Sequence, residues 1–134
     1  MPRWHHDDPR VARWLAHAEH HDRGELLAQL ADDAVFHSPV VHTPQQGRDK
    51  AFQYLDAAGH VFAGTGFDYR RIIVDGDTAV LEFTATVDGI HINGVDIIAW
   101  DGDGRIRDFK VMVRPLKAIN LLWQKMAAML AEAG

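Results

Sequence analysis

Asp96 is the acid that stands apart. It sits in Gly94-Val95-Asp96-Ile97-Ile98-Ala99-Trp100, a segment with no other charge. A carboxylate among strand-forming apolar residues has two ordinary fates: exposure at an edge or bulge, or burial with its charge suppressed. Regular alternation puts Asp96 on the face of Ile98 and Trp100. If that face turns inward, desolvation raises the pKa above the usual value of about 3.9. The group then becomes an acid or a base usable near neutral pH. His91 would oppose this by favouring the charged form, should a bulge at Asn93-Gly94 turn it inward.

The other chemistry-bearing residues are less specific. Ser38 precedes Pro39 at the end of a short strand, where it is either a donor to a bound molecule or a strand-end cap. His37 beside it points the other way by period two. His42 follows in a loop, a place for a solvated histidine or a general base at the rim of a pocket. Tyr54 brings a hydroxyl. His17 and His21 stand at i and i+4, with His20 beside them. That spacing can share a metal, yet no glutamate follows the first histidine and no third ligand stands at a set distance. The expectation is a solvated histidine-rich helix face, with no metal and no cofactor.

The elements that must position these residues follow from periodicity. Asp8-Pro9 reads as an N-cap with a first-turn proline. Val11, Trp14, Leu15 and Ala18 then recur at helical spacing, to about His21. A short helix over 25–30 and a strand over 34–38 come next, then a loop over 40–46. A helix over 48–62 carries Phe52, Leu55, Ala58, Gly59 and Phe62 on one face. From there the period is two: strands over 67–74, 79–87, 90–100 and 105–114, with Asp88-Gly89 as a hairpin signal. A last helix over 116–133 presents Ile119, Leu122, Trp123, Met126 and Leu130 on its apolar face.

This order implies an α+β fold. A curved, barrel-like antiparallel sheet forms a cone, helices cover one side, and a pocket lies between the two. Trp14, Ser38, Tyr54, Leu55, Phe83, Trp100 and Phe109 are the expected contacts for a ligand. Phe36, Phe52, Phe62, Val111 and Val113 are further candidates. Outward on the sheet, Val80, Thr84, Thr86, Val95, Ile97, Ala99 and Met112 are too apolar for a solvated face. A homodimer would cover them; the alternative cover is the last helix. Arg114 would pair with Glu82 on the neighbouring strand or with a partner subunit.

Composition sets limits. With 134 residues the chain suits one domain, over 1–134. The net charge of −5 and scattered Lys and Arg argue against nucleic acid. No cysteine is present, so disulfides, thiol chemistry and thiolate–zinc sites are out. The polar start and short apolar stretches point to a cytoplasmic protein without a membrane span.

A family resemblance enters on two landmarks. Ala31-Asp32-Asp33-Ala34, followed by Ser38-Pro39 and by Gly47 opening a helix, resembles the steroid Δ-isomerases. Polyketide cyclases of the SnoaL type and limonene-epoxide hydrolases share that architecture, the nuclear transport factor 2-like fold. The second landmark is Gly94 to Trp100, then a glycine turn and Arg105-Ile106. Together they cover about residues 9 to 115. The resemblance implies a catalytic aspartate where this chain has Ser38, and an oxyanion tyrosine where it has Trp14. It implies two supporting tyrosines where Leu30 and Leu55 stand. The second, proton-bearing aspartate falls on Asp96. A serine needs its own activating partner, so classical steroid isomerisation is expected to be weak. The Arg-x-Asp pair of the epoxide hydrolases is missing too, with Gly94 in the arginine's place. The expectation is a pocket for a small apolar ligand, with Asp96 as acid or base in a proton transfer of isomerase, cyclase or dehydratase type. The alternative is a non-catalytic ligand-binding or protein-interaction module.

Overall fold

A computed structural model describes residues 3–133. Met1 and Pro2, the first residues of the polar start, lie outside the described residues, as does Gly134. Four helices and six strands follow in the order α1 (Pro9–His20), α2 (Arg23–Gln29), β1 (Leu30–His37), β2 (Gln45–Gln46), α3 (Arg48–Phe62), β3 (Asp68–Asp75), β4 (Thr78–Val87), β5 (Ile90–Trp100), β6 (Ile106–Arg114) and α4 (Leu116–Ala133). No helix among the described residues is long and apolar enough to cross a membrane.

Local chemistry sets the helix starts. The Asp8 carboxylate accepts from the Arg10 backbone N–H at 2.9 Å, with Pro9 in the first turn. Asp22 caps α2 in the same way, accepting from the Glu25 N–H at 3.0 Å. Arg10 then clasps α1 to the β3–β4 turn, through Asp77 at 2.7 Å and the Gly76 carbonyl at 2.9 Å.

The second helix ends one residue earlier than expected, and β1 begins there instead of at Ala34. Leu30 pairs with Ile106, both fully buried. Asp32 and Asp33 fall in the register shift between Leu30 and Val35 and face solvent. Two exposed acids inside a strand read as a break in the sequence; in the fold they lie in an irregular stretch of the β1–β6 pairing.

The sheet runs β2-β1-β6-β5-β4-β3. The four-strand meander is antiparallel as expected, but β1 joins β6 in parallel, so the sheet is mixed. It does not close into a barrel. Asp88 and Gly89 both take left-handed backbone, φ 49° and 77°, as a two-residue hairpin requires. No bulge occurs at Asn93-Gly94. The β4–β5 register is unbroken from Thr78↔Ala99 to Val87↔Ile90, and the shift in β5 lies between Ala99 and Trp100 against β6. His91 therefore stays exposed on the outside, with Nδ1 3.0 Å from the Thr86 hydroxyl.

The concave face of the sheet carries the core, and α1, α3 and α4 cover it. α4 lies against α3 on that side, and Lys125 ties it to the hairpin turn through Asp88 at 2.9 Å. The last helix is thus not the cover of the convex face. There Ile73 and Met112 are each about half exposed, at 55 % and 51 %.

Candidate functional site

β5 turns Ile92, Gly94, Asp96, Ile98 and Trp100 inward, and Asp96 is the one charged side chain among them. It is 6 % exposed. Its Oδ2 accepts a hydrogen bond from the Tyr69 hydroxyl at 2.5 Å. The Tyr69 oxygen in turn accepts from Nε1 of Trp14 at 3.0 Å. An indole N–H can only donate, so the row has one sense: Trp14 to Tyr69 to Asp96.

Burial pushes the Asp96 carboxyl up to about 7, and the Tyr69 hydrogen bond opposes this by less. Burial and the adjacent carboxylate also hold the Tyr69 phenol well above its usual range, so it remains a donor. With Oδ2 occupied by Tyr69, the proton of the neutral acid belongs on Oδ1.

Tyr69 is the residue that the sequence reading missed. Asp96 was expected to stand without tyrosines, because Trp14, Leu30 and Leu55 replace those of the isomerases. One comes instead from β3. A register shift between Tyr69 and Arg71 changes which residues of β3 face inward, so strict alternation back from Val74 and Ile72 would bury Arg70 and expose Tyr69. The adjacent pair Arg70-Arg71 was the available signal, since one of two neighbouring arginines would otherwise face the core.

Aromatic rings pack around Tyr69. Phe67 stacks on Phe83 with centroids 4.9 Å apart, and Tyr69 meets Phe67 edge-on at 5.0 Å. Gly94 makes room for Phe83. A Cβ there would lie 2.4 Å from Phe83 Cζ and 2.8 Å from the Met112 carbonyl oxygen.

Below the row lies a cavity with about 100 Å³ open to the centres of water-sized molecules, ample for several waters or a small organic ligand. Its walls are mostly apolar: Trp14 from α1, Phe36 from β1, Leu55, Ala58 and Phe62 from α3, Phe83, Phe109 and Val111 from the sheet, and Leu122 and Met126 from α4.

His17 is a second correction. It was expected on a solvated helix face, yet it is 7 % exposed and lines the cavity. It stands one helical turn from Trp14, with ring centroids 5.2 Å apart. Its place on the stripe of Val11, Trp14 and Ala18 was the signal. Nδ1 lies 3.1 Å from the Asp22 carbonyl oxygen. A carbonyl can only accept, so Nδ1 carries the proton and Nε2 keeps a lone pair. Burial lowers the pKa below the usual 6.5, which keeps the imidazole neutral. His21 lines the cavity at its exposed mouth, against Gly59 of α3. His20 points to solvent. No cluster of three metal-binding side chains exists among the described residues.

The remaining candidates divide. Trp14, Ser38, Leu55, Phe83 and Phe109 line the cavity. Ser38 Oγ also accepts from the Val40 N–H at 3.1 Å, so it is lining and strand-end cap together. Tyr54 is off the cavity: one helical step from Leu55 turns it about 100° away, and it stacks on Phe36 at 5.4 Å. Trp100 is buried past the β5 register shift, under the Arg10 guanidinium at 4.8 Å. Phe52 and Val113 pack on the core without lining the cavity. His42 is exposed and off the cavity. His37 faces outward to Asp108 at 2.8 Å. Arg114 reaches Glu82 only through Asn93: its Nε donates to Asn93 Oδ1 at 2.8 Å, and Asn93 Nδ2 donates to Glu82 at 3.1 Å.

A family model described as SnoaL-like domain matches residues 11–109. A crystal structure described as a steroid delta-isomerase from Pseudomonas aeruginosa is 37 % identical, covering 92 % of this chain and 90 % of that one, with a TM-score of 0.87. An uncharacterised protein with a cystatin-like fold from Silicibacter pomeroyi is 34 % identical, over 91 % and 85 % of the two chains, at a TM-score of 0.84. An NTF2-like protein of unknown function from Mesorhizobium loti is 26 % identical, over 83 % and 98 %, at 0.71. Comparison with curated proteins finds no match.

Proposed function

Because the chain belongs to the SnoaL-like family, in the nuclear transport factor 2-like fold, we propose that its cavity binds a small apolar molecule bearing an oxygen acceptor and catalyses a proton transfer on it. One observation carries this reading. A buried carboxyl with an orienting tyrosine and tryptophan stands at the wall of an otherwise apolar cavity. Holding an acid there is costly, and a fold that needed only packing would do better with leucine. As a donor aimed at a carbonyl oxygen, the same group stabilises the negative charge that develops when a neighbouring C–H bond ionises. Isomerisation, cyclisation and dehydration all begin that way. The name of the Pseudomonas relative accords with such chemistry, although Ser38 stands where the isomerases keep their base.

A non-catalytic binder is the second reading. The cavity favours it as much as it favours the enzyme; the cost of the buried acid weighs against it. Pairing of two copies through the convex faces is part of the proposal, supported by the half-exposed Ile73 and Met112.

Native mass spectrometry of gently purified protein tests the cavity. Wild type should carry a small ligand, and Ala58→Trp, which fills the cavity, should not. Once a ligand is known, Asp96→Asn should retain binding and lose turnover. Equal occupancy of both proteins would refute the cavity as the binding site, and turnover unaffected by Asp96→Asn would leave only a binder.

A further inference from the structure

We propose that His17 is the proton acceptor of this cavity: Nε2 takes the proton that a bound ketone loses from the carbon beside its carbonyl, while the Asp96 carboxyl holds the carbonyl oxygen. The inference rests on the reading above and supplies the base that it lacks.

The titratable groups on the cavity are Asp96, Tyr69, His17 and His21. Tyr69 is committed as a donor to Asp96. His21 is exposed and ends α1 in a left-handed turn, φ 55°. Ser38 Oγ has no activating partner. His17 alone is buried, oriented and in possession of a lone pair. Its orienter is rigid, because Asp22 is itself the N-cap of α2. An imidazole whose Nδ1–H is held by a fixed acceptor presents Nε2 as a base in one tautomer.

The step balances without a co-reactant. The C–H bond breaks, its electron pair forms the C=C bond of the enolate, and the carbonyl π pair moves onto oxygen, where Asp96 donates a hydrogen bond. The proton forms a bond to Nε2, giving an imidazolium that the Asp22 carbonyl supports at Nδ1. Return of the proton to the same carbon exchanges it, and delivery to a conjugated carbon isomerises the ketone.

The environment also moves these two groups in opposite senses. Burial raises the Asp96 carboxyl to about 7 and lowers the His17 imidazole from its usual range. Both shifts favour the neutral forms, the acid as donor and the imidazole as acceptor. The groups facing His17 are His21 at the C-cap of its own helix, Asp22 at the start of α2 and Asp56 of α3; Tyr69 faces Asp96.

The test uses the full chain and 2-tetralone, a bicyclic apolar ketone. Hydrogen–deuterium exchange beside its carbonyl is followed by proton NMR in D₂O, with binding measured by line broadening. His17→Gln keeps a polar atom near Nε2 without its basicity, and His17→Asn keeps a donor for Asp22 without Nε2. Both should slow the protein-catalysed exchange by about 10²-fold or more, with little change in affinity, and remove the acidic limb of a bell-shaped pH profile. Unchanged exchange in both variants overturns the assignment and leaves the proton-transfer reading standing. A wild type that binds the ketone without speeding exchange overturns the assignment and leaves a binder. Nitrogen-15 shifts of the wild-type His17 ring are independent of any variant's folding: a proton on Nδ1 is expected, and a proton on Nε2 at neutral pH would overturn the proposal.

Discussion

Replacing Asp96 by asparagine should stabilise the fold, and by an amount that depends on pH in a calculable way. In the unfolded chain the carboxyl titrates near its usual 3.8; in the fold it titrates at about 7. Below 3.8 both states hold the proton and the acid costs nothing through ionisation. Between the two values the unfolded chain releases the proton while the folded chain keeps it, so stability falls by about 1.4 kcal/mol per pH unit. Above about 7 both states are ionised and the loss levels off. From pH 5 to pH 8.5 the wild type therefore forfeits roughly 3 kcal/mol through this one group. Asparagine cannot ionise, and its carbonyl oxygen can still accept from Tyr69. The stability difference between variant and wild type should widen by that roughly 3 kcal/mol over the same range. Other titrating groups cancel in the difference. For a chain of 134 residues this is roughly 10 °C in Tm. Urea unfolding of both proteins at the two pH values, followed by tryptophan fluorescence, measures it. A difference that stays constant with pH would refute the desolvation of Asp96, and with it the physical case for an acid in the cavity.

Other expectations are as specific. Tyr69→Phe removes the hydrogen bond that lowers the Asp96 pKa and orphans the Trp14 N–H; carbon-13 NMR should place the Asp96 midpoint above about 7, with stability lower by about 1–3 kcal/mol. Gly94→Ala sets a methyl 2.8 Å from the Met112 carbonyl oxygen and closer still to Phe83, and should cost at least about 2 kcal/mol in chemical denaturation; a near-neutral value would mean that the strands separate easily there. Isomerisation of a Δ5-3-ketosteroid should be slow in wild type and about 10²-fold faster in Ser38→Asp, since His17 approaches from α1 and not from the end of β1; equal rates would remove the argument from Ser38. Sedimentation should give a dimer for wild type at tens of micromolar (a chosen assay range) and a monomer for Met112→Glu, whereas a wild-type monomer would rule out pairing through the convex face.

Helices and hairpins were legible because their signals are local. Asp8-Pro9, Asp88-Gly89 and the period of two from Thr78 onward each dictate their own geometry within a few residues. The inward turn of Asp96 was legible for the same reason, since β5 keeps its alternation through that segment. What failed was non-local. The parallel pairing of β1 with β6 joins segments far apart in the chain, and no short-range pattern announces it. The shift between Tyr69 and Arg71 changes which side chains of β3 face inward, which hid the tyrosine. His17 was misread because histidine is usually solvated, although its spacing from Trp14 placed it on the apolar stripe. Tyr54 and Trp100 were overvalued as aromatics near the right place; a helical step took Tyr54 off the cavity, and Trp100 lies at the far end of β5 under Arg10.

The matched family region runs over residues 11–109, and it contains Trp14, His17, Tyr69 and Asp96. Leu122 and Met126, which complete the cavity wall, come from α4, beyond that region. One part of the cavity wall is thus written outside the stretch that holds the buried acid. A lineage can reshape the wall of the chamber by drifting in one terminal helix, without disturbing the acid or the bonds that aim it. The same seam is open to design: grafting a different last helix would change that part of the wall while Trp14, Tyr69 and Asp96 keep their places.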